Sequence, residues 1–312
     1  MTPAALPLRC GEILISDLID LYMAHYAGRD PTRLQRLSWW LPRVGALRLD
    51  AVSDDHVHAA LEELVSQRAR YFAGHDADGA PIYKGKKKPI APATINRYAA
   101  ALAAVFTWAI HKRIAPKGWD HPCRRVERRP ENNGKTRFLT RTECDRLLLA
   151  CKDSTWPKLY ALVLLAITTG GRKGELIGLR WGDLDFDTQL AHVGRSKNGD
   201  PKALPIMPAV IEQLTPLREG PGALVFASKR NPQRAYSFEL KWAEALVAAG
   251  IRGFRFHDLR HTCASFLAQN GATLLEIGDL LGHRQISMTK RYSHLASTHR
   301  AALVTRVLGD LR

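Results

Sequence analysis

The chain has 312 residues, enough for two ordinary domains or one large one, and 46% of them are hydrophobic, so a core can be built without disulfides. Its formal charge of +16, with a pI of about 9.9, points to a polyanionic partner, nucleic acid first. The five cysteines (Cys10, Cys123, Cys144, Cys151 and Cys263) are odd in number and lack a C-x-x-C pair, which argues against a disulfide scaffold or a zinc module and for a reduced, cytoplasmic setting. No charged-then-apolar leader opens the chain, and the longest apolar run, near Leu159 to Ile167, is too short to span a bilayer, so no membrane role is expected.

Residues 13 to about 115 read as helical. Ile13, Leu14, Leu18, Ile19, Leu21 and Tyr22 fall at helical spacing. A second helical stretch runs from Asp50 to Val65, with Ser53 as its N-cap and acidic residues following. The clearest helix covers 94–111, capped by Thr94, with an apolar stripe through Tyr98, Leu102, Val105, Phe106 and Ala109. Its Asn96 and Arg97 are candidates for reading bases. Between these helices, Tyr71 to Pro92 is rich in Gly, Asp, Lys and Pro and reads as a mobile basic loop carrying Lys84, Lys86, Lys87 and Lys88.

Residues 116–137 hold seven Lys/Arg among proline, glycine and asparagine breaks and read as an interdomain linker. Arg124, Arg125, Arg128 and Arg129 lie in it as candidate phosphate contacts. From Lys84 to Arg137 there are 14 Lys/Arg against 3 acids, an excess of 11 that makes up most of the total charge. A polyanion is therefore expected along this middle region, with binding that weakens steeply with salt. The chain thus divides into a helical domain over 1–115, a basic linker over 116–137 and a second domain over 138–312.

The second domain opens with Thr140 and Glu143 at capping-box spacing, for a helix ending near Lys152. A buried helix follows over Leu159 to Thr168. Residues 183–208 alternate around Asn198-Gly199, a strong hairpin signal, and predict a small antiparallel sheet. Helices then continue to the end. The fold expected is mainly α with a small antiparallel sheet.

Five clusters in this half carry chemistry. In Thr169-Gly170-Gly171-Arg172 the glycines allow a sharp turn that places Arg172 at a helix start, where amide groups favour an anion. Lys197 stands just before Asn198-Gly199. His257 and Arg260 are three apart and share a helix face, so an imidazole and a fork-shaped phosphate ligand address one site. A rival pairing of His257 with His261 as metal ligands finds no third ligand at standard spacing and sets a cation beside Arg260. Leu281-Gly282-His283 follows a helix that Gly282 ends, and Tyr292 comes late in the chain. Taken singly, His283 is an ordinary histidine, Lys197 a solvated turn lysine and Tyr292 a packing residue.

In this order, T-G-x-R, a turn lysine, H-x-x-R, L-G-H and a late tyrosine are together specific. The set resembles the tyrosine recombinase (phage integrase) family over nearly the whole chain. Residues 138–295 are similar to its mixed α/β catalytic domain and 13–115 to its helical core-binding domain, the two closing on DNA as a clamp. The resemblance implies a site-specific recombinase that cleaves and rejoins double-stranded DNA through a 3′-phosphotyrosine, without metal, cofactor or ATP. It makes Tyr292 the nucleophile, Arg172 and Arg260 the phosphate clamps, Lys197 the general acid, His257 a proton-transfer aid, His283 a phosphate hydrogen-bonder and Glu175 the acid that orients Arg172 or His257. Two guanidiniums beside Tyr292 are expected to favour its phenolate.

The expected assembly is a homotetramer on two DNA sites, or a monomer when free. Arg300, Leu303, Val304, Val307, Leu308 and Leu311 form an amphipathic tail that docks on a neighbour or on its own domain. The helical segment begins close to the start of the sequence, so no arm-binding domain is expected. Alternatives are a DNA-relaxing enzyme like the type IB topoisomerases and a catalytically inactive DNA-binding regulator.

Overall fold

The computed structural model of the chain is described for residues 11–75, 81–131, 137–194, 201–296, 304, 305 and 308. These fall into two compact units, one within 1–133 and one within 134–312.

In the first unit, α1 (Ile15–Ala24), α2 (Arg33–Val44) and α3 (Asp54–Ser66) precede a strand pair and a long helix. α1 buries Leu18, Ile19 and Tyr22 of the expected stripe and adds Ile15, while Leu14 and Leu21 are only half-buried. Ser53 caps α3 as expected: its hydroxyl accepts from the His56 amide at 3.4 Å, while the His56 ring accepts from the Ser53 amide at 3.2 Å. The indole of Trp40, fully buried, donates to the Tyr98 carbonyl at 3.0 Å and ties α2 to α4 (Pro92–His111). That last helix starts two residues earlier than its threonine suggested. Pro92 occupies its first turn, where a missing N–H costs nothing, and Ala91 rather than Thr94 precedes it.

Two sequence expectations fail here. The basic segment between α3 and α4 forms an antiparallel ribbon, β1 (Arg68–His75) and β2 (Pro81–Pro89), with Tyr71 opposite Lys84 and Phe72 opposite Tyr83. In the backbone register Ile82 stands opposite Gly74, and prolines bound the second strand. The glycines and lysines between them had suggested a mobile loop. The expected linker also packs on this unit over much of its length. Trp119 meets Phe106 edge-on at 5.5 Å, His121 is buried, and Asn96 brackets Arg129, accepting from its amide at 3.0 Å and donating to its carbonyl at 2.9 Å.

The second unit begins with α5 (Arg141–Lys152), whose Thr140–Glu143 capping box forms as predicted. The apolar α6 (Leu159–Thr169) lies in the core, and α7 (Lys173–Ile177) follows a glycine turn. β3 (Leu184–Asp185), β4 (Leu190–Val193) and β5 (Lys202–Pro205) make the small antiparallel sheet, in that order. The Asn198-Gly199 turn lies outside the described residues. α8 (Pro208–Leu214), α9 (Glu239–Ala248), α10 (Asp258–Gln269) and α11 (Leu274–Leu281) complete the helices, and a 3₁₀ run, Lys290–Ala296, closes the described body. Leu147, Leu162, Trp181, Phe226, Phe238 and Leu259 centre the main core. A smaller cluster gathers Ala264, Ala268, Ile277, Leu281 and Tyr292. Most of the amphipathic tail, including Arg300, Leu303, Val307 and Leu311, lies outside the described residues. Among the described residues no helix is long and apolar enough to cross a membrane.

Candidate active site

Four of the sequence clusters converge within the second unit. α6 ends at Gly170, whose φ of +59° continues the chain left-handed. The Thr169 hydroxyl accepts from the Gly171 amide at 3.1 Å and fixes the turn. This sets Arg172 at the head of α7, where Glu175 accepts from its amide at 3.0 Å and from its guanidinium at 2.7 Å. Glu175 therefore orients Arg172 rather than His257.

Arg260, on the first turn of α10, is 5% exposed. One terminal nitrogen donates to the Gly170 carbonyl and the other to the Leu281 carbonyl, both at 2.7 Å. A single guanidinium thus ties the glycine turn to the end of α11. There Gly282, at φ +66°, turns the chain so that the His283 amide donates to the Gly278 carbonyl at 2.8 Å. The His283 ring meets the hydroxyl of the buried Thr289 at 2.8 Å, and the Tyr292 amide donates to the Thr289 carbonyl at 3.0 Å. The late tyrosine is in this way hung from the histidine motif. Its side chain is 2% exposed, and its hydroxyl lies 2.6 Å from Nδ1 of His261.

The close packing predicts one sensitive position. A Cβ on Gly170 would stand 2.3 Å from Leu281 and would also meet a left-handed φ. Gly170→Ala should destabilise the fold by about 1–3 kcal/mol, lowering the melting temperature by several degrees. An unshifted calorimetric transition would show the turn to be less constrained than its geometry implies.

The electrostatics are those of a cationic site with two buried carboxylates, Glu175 beside Arg172 and Asp258 paired with Arg255. Burial acts against the charge of Glu175, whose side chain is 5% exposed, but hydrogen bonds from Arg172 and the charges of Lys202 and Arg172 outweigh it and hold its pKa below the usual range. Burial, then Arg172, lowers Arg260 to about 10, so it remains charged. His283 is pushed down to about 4 by burial and by Arg260 and Arg172, and His257 is lowered by desolvation and then by Arg260. Both rings are neutral at physiological pH. Tyr292 corrects a sequence expectation: burial raises its pKa and outweighs the opposing charges of Arg291 and Arg260, so the resting hydroxyl stays protonated.

Two residues near the centre were not among the candidates. Lys202 on β5 reaches Glu175 at 3.4 Å, and its ammonium lies near the position a Gly282 Cβ would take, 4.0 Å away. Burial lowers its pKa, with Arg260 and Arg172 adding to the effect. Strand alternation carries the signal: Lys202 is two residues from the buried Leu204, so both face inward. The other is His261, considered only as a metal ligand. Its ring meets that of His257 edge to face at 5.5 Å. Among the described residues no group of three or more His, Cys, Asp or Glu is placed to hold a metal ion. Lys197 lies outside the described residues.

The candidate DNA contacts sit in the first unit. Lys84, Lys87 and Lys88 are exposed on β2, which also carries Lys86. Arg97 and Arg128 are exposed. Arg124 and Arg125 pair with Asp120 at 3.8 and 3.1 Å, and Arg129 pairs with Glu62. Asn96 does not fit its expected role. Its amide is spent on Arg129 and, at 2.9 Å, on Glu131, which leaves little to offer a base edge.

Comparison with known proteins points to one family. Residues 137–299 match the phage integrase family. The chain is 26% identical over 301 residues to the integrase of Salmonella phage P22, covering 88% of this chain and 74% of that protein. It is 30% identical over 213 residues to a shufflon-specific DNA recombinase of Escherichia coli, covering 67% of this chain but only 52% of that one, so it spans about half the length of that relative. The fold superposes on the Tn1549 transposon integrase, solved with circular-intermediate DNA, with a TM-score of 0.70 at 18% identity, covering 94% of this chain and 99% of the other. Motif order, the converged arginines and the match over more than half the chain agree: the protein belongs to the phage integrase family, the tyrosine-type site-specific recombinases.

Proposed function

We propose that this chain recombines double-stranded DNA at specific sites, cutting each strand by attack of the Tyr292 hydroxyl on a phosphodiester. The observation that carries the reading is the pair Arg172 and Arg260, held by Glu175 and by two backbone carbonyls, beside the His283 motif from which Tyr292 hangs. Fixed guanidiniums stabilise the charge that grows on the non-bridging oxygens in the transition state, and they need no reorganisation to do so. His283 adds a hydrogen bond to the same phosphate, and His257 assists proton transfer. The Tyr292 oxygen bonds to phosphorus as the bond to the 5′-oxygen breaks, and Lys197 supplies the proton that oxygen takes. The 3′-phosphotyrosine keeps the phosphodiester bond energy, so rejoining to another 5′-hydroxyl draws on no nucleotide.

DNA is held by both units, the β1–β2 ribbon and the arginines of 124–129 gripping backbone phosphates while the second unit acts on the strand. Strand exchange uses four copies on two sites. Replacing Lys84, Lys86, Lys87 and Lys88 by alanine should weaken binding and flatten its salt dependence, by about 0.9 in the log–log slope for each phosphate that is no longer neutralised. An unchanged slope in a titration across salt would remove the ribbon from the interface.

The reading is tested by incubating the protein and two differently labelled duplexes bearing its recombination site in EDTA without ATP. Recombinant duplexes are the expected product. Relaxation of a supercoiled plasmid without joint products would make the enzyme a topoisomerase, and binding without any covalent adduct would make it a regulator.

A further inference from the structure

The hydroxyl of Tyr292 is held by a group that none of the roles above uses. Its distance to Nδ1 of His261 is 2.6 Å, a short contact for a neutral pair. The ring sits on α10 immediately after Arg260, half-buried, with its plane tilted 46° to that of Tyr292. Resting on the reading of Tyr292 as nucleophile, we propose that His261 is a further catalytic residue, the acceptor that aims the Tyr292 hydroxyl and takes its proton as the oxygen attacks phosphorus, which leaves His257 to assist proton transfer at the leaving oxygen.

The chemistry balances without another reactant. The lone pair on Nδ1 receives the phenolic proton, the Oη–P bond forms, the P–O5′ bond breaks, and the leaving oxygen is protonated from the opposite side of the phosphate. On religation the proton returns from Nδ1 to Oη. The arrangement requires a neutral ring with its hydrogen on Nε2. The elements packed on α10 are α6, α11 and the C-terminal 3₁₀ run. Their titratable groups are Tyr160, Glu276, Asp279, Lys290, Arg291, Tyr292 and His294, and α10 with its cap adds His257, Asp258, Arg260 and Cys263. Burial first, then His257, Arg291 and Arg260 against Asp258, pushes His261 down to about 4, so its lone pair is free at neutral pH. A base so weak does not ionise the tyrosine at rest, in keeping with the raised pKa of Tyr292. An arriving phosphodiester brings negative charge among the same cations and offsets their field, which raises the proton affinity of the ring when substrate is in place. The nucleophile is thereby kept protonated until DNA is bound.

The test uses the full chain and single-turnover covalent capture of a duplex nicked beside the scissile phosphate, followed from acid to alkaline pH. His261→Ala and His261→Gln should each capture about a hundredfold more slowly at neutral pH. Their rates should climb about tenfold per pH unit as free phenolate forms, a climb that wild type does not show. Glutamine can accept the hydrogen bond but not the proton, so its behaviour separates aiming from proton transfer. A duplex whose scissile 5′-oxygen is replaced by sulfur leaves without needing an acid. It should rescue Lys197→Ala and leave both His261 variants slow. Melting temperature and affinity for the same duplex show that the variants are folded, His261→Gln serving if the alanine form is not.

Capture by His261→Gln within about twofold of wild type, with the same pH profile, would overturn the proposal, and so would its rescue by the sulfur substrate. Tyr292→Phe keeps the two readings apart. If that variant still forms the adduct, the nucleophile assignment fails. If it forms none while His261→Gln is normal, only the role of His261 fails.

Discussion

Tyr292→Phe should form no covalent complex with a nicked duplex that traps wild type, a loss on the order of 10⁴-fold or more, while still binding the same DNA. The substitution removes one oxygen from a side chain that is otherwise packing. Tyr292 belongs to the small cluster of Ala264, Ala268, Ile277 and Leu281, and a phenylalanine ring fills the same space. What disappears is the hydrogen bond to His261, worth about 1 kcal/mol net, and the nucleophile itself. Thermal melting should therefore move by only a few degrees while chemistry stops. This asymmetry separates a reacting group from a structural one, since a tyrosine that only packed would lose stability and activity together. The experiment is run in EDTA, so that a contaminating metal-dependent nuclease cannot supply cleavage. A protein–DNA adduct from the phenylalanine form, mapped by peptide sequencing to another residue, would move the nucleophile elsewhere.

Much of this site was legible in the sequence because its parts are local. Gly170 and Gly282 end helices with left-handed residues, and each sets a functional side chain one or two positions later. Local spacing therefore marked the helix ends that carry Arg172 and His283, while the role of His283 came from the family resemblance. The three-residue step from His257 to Arg260 on one helix face was equally plain. Less was visible where partners lie far apart in the chain. The carbonyls that hold Arg260 are 90 and 21 residues away, and the tyrosine acceptor is 31 residues upstream of it. Long-range pairing explains the misreadings too. A glycine- and lysine-rich stretch looked like a loop, yet its backbone pairs as a ribbon with Phe72 in register with Tyr83. Asn96 looked like a base reader because its contacts with Arg129, 33 residues on, leave no local trace. The charge of Tyr292 was misjudged for a related reason. The sequence shows the arginines but not the burial that outweighs them.

Arg260→Lys should slow cleavage by on the order of 10³-fold or more and also lower stability, a double loss that Arg172→Lys should not share. The guanidinium of Arg260 fills two positions at once, one nitrogen on Gly170 and one on Leu281, deep enough that the residue is 5% exposed. Lysine is one compact charge and cannot span both carbonyls. One of them is left buried without a donor, at about 1–3 kcal/mol. The charge itself is also less secure. Burial and Arg172 already pull Arg260 down to about 10 from an unusually high starting value. A lysine starts roughly two units lower and meets the same field, so its charged form is harder to keep when the site is empty. Arg172 is more exposed and leans on Glu175, a side chain that Lys202 also contacts, so its replacement leaves the junction of α6 with α11 intact. Melting curves and single-turnover capture on both variants check this directly. If Arg260→Lys melts like wild type and cleaves within about tenfold of it, the two carbonyl bonds do not organise the site, and the cage must be held together by Glu175 alone.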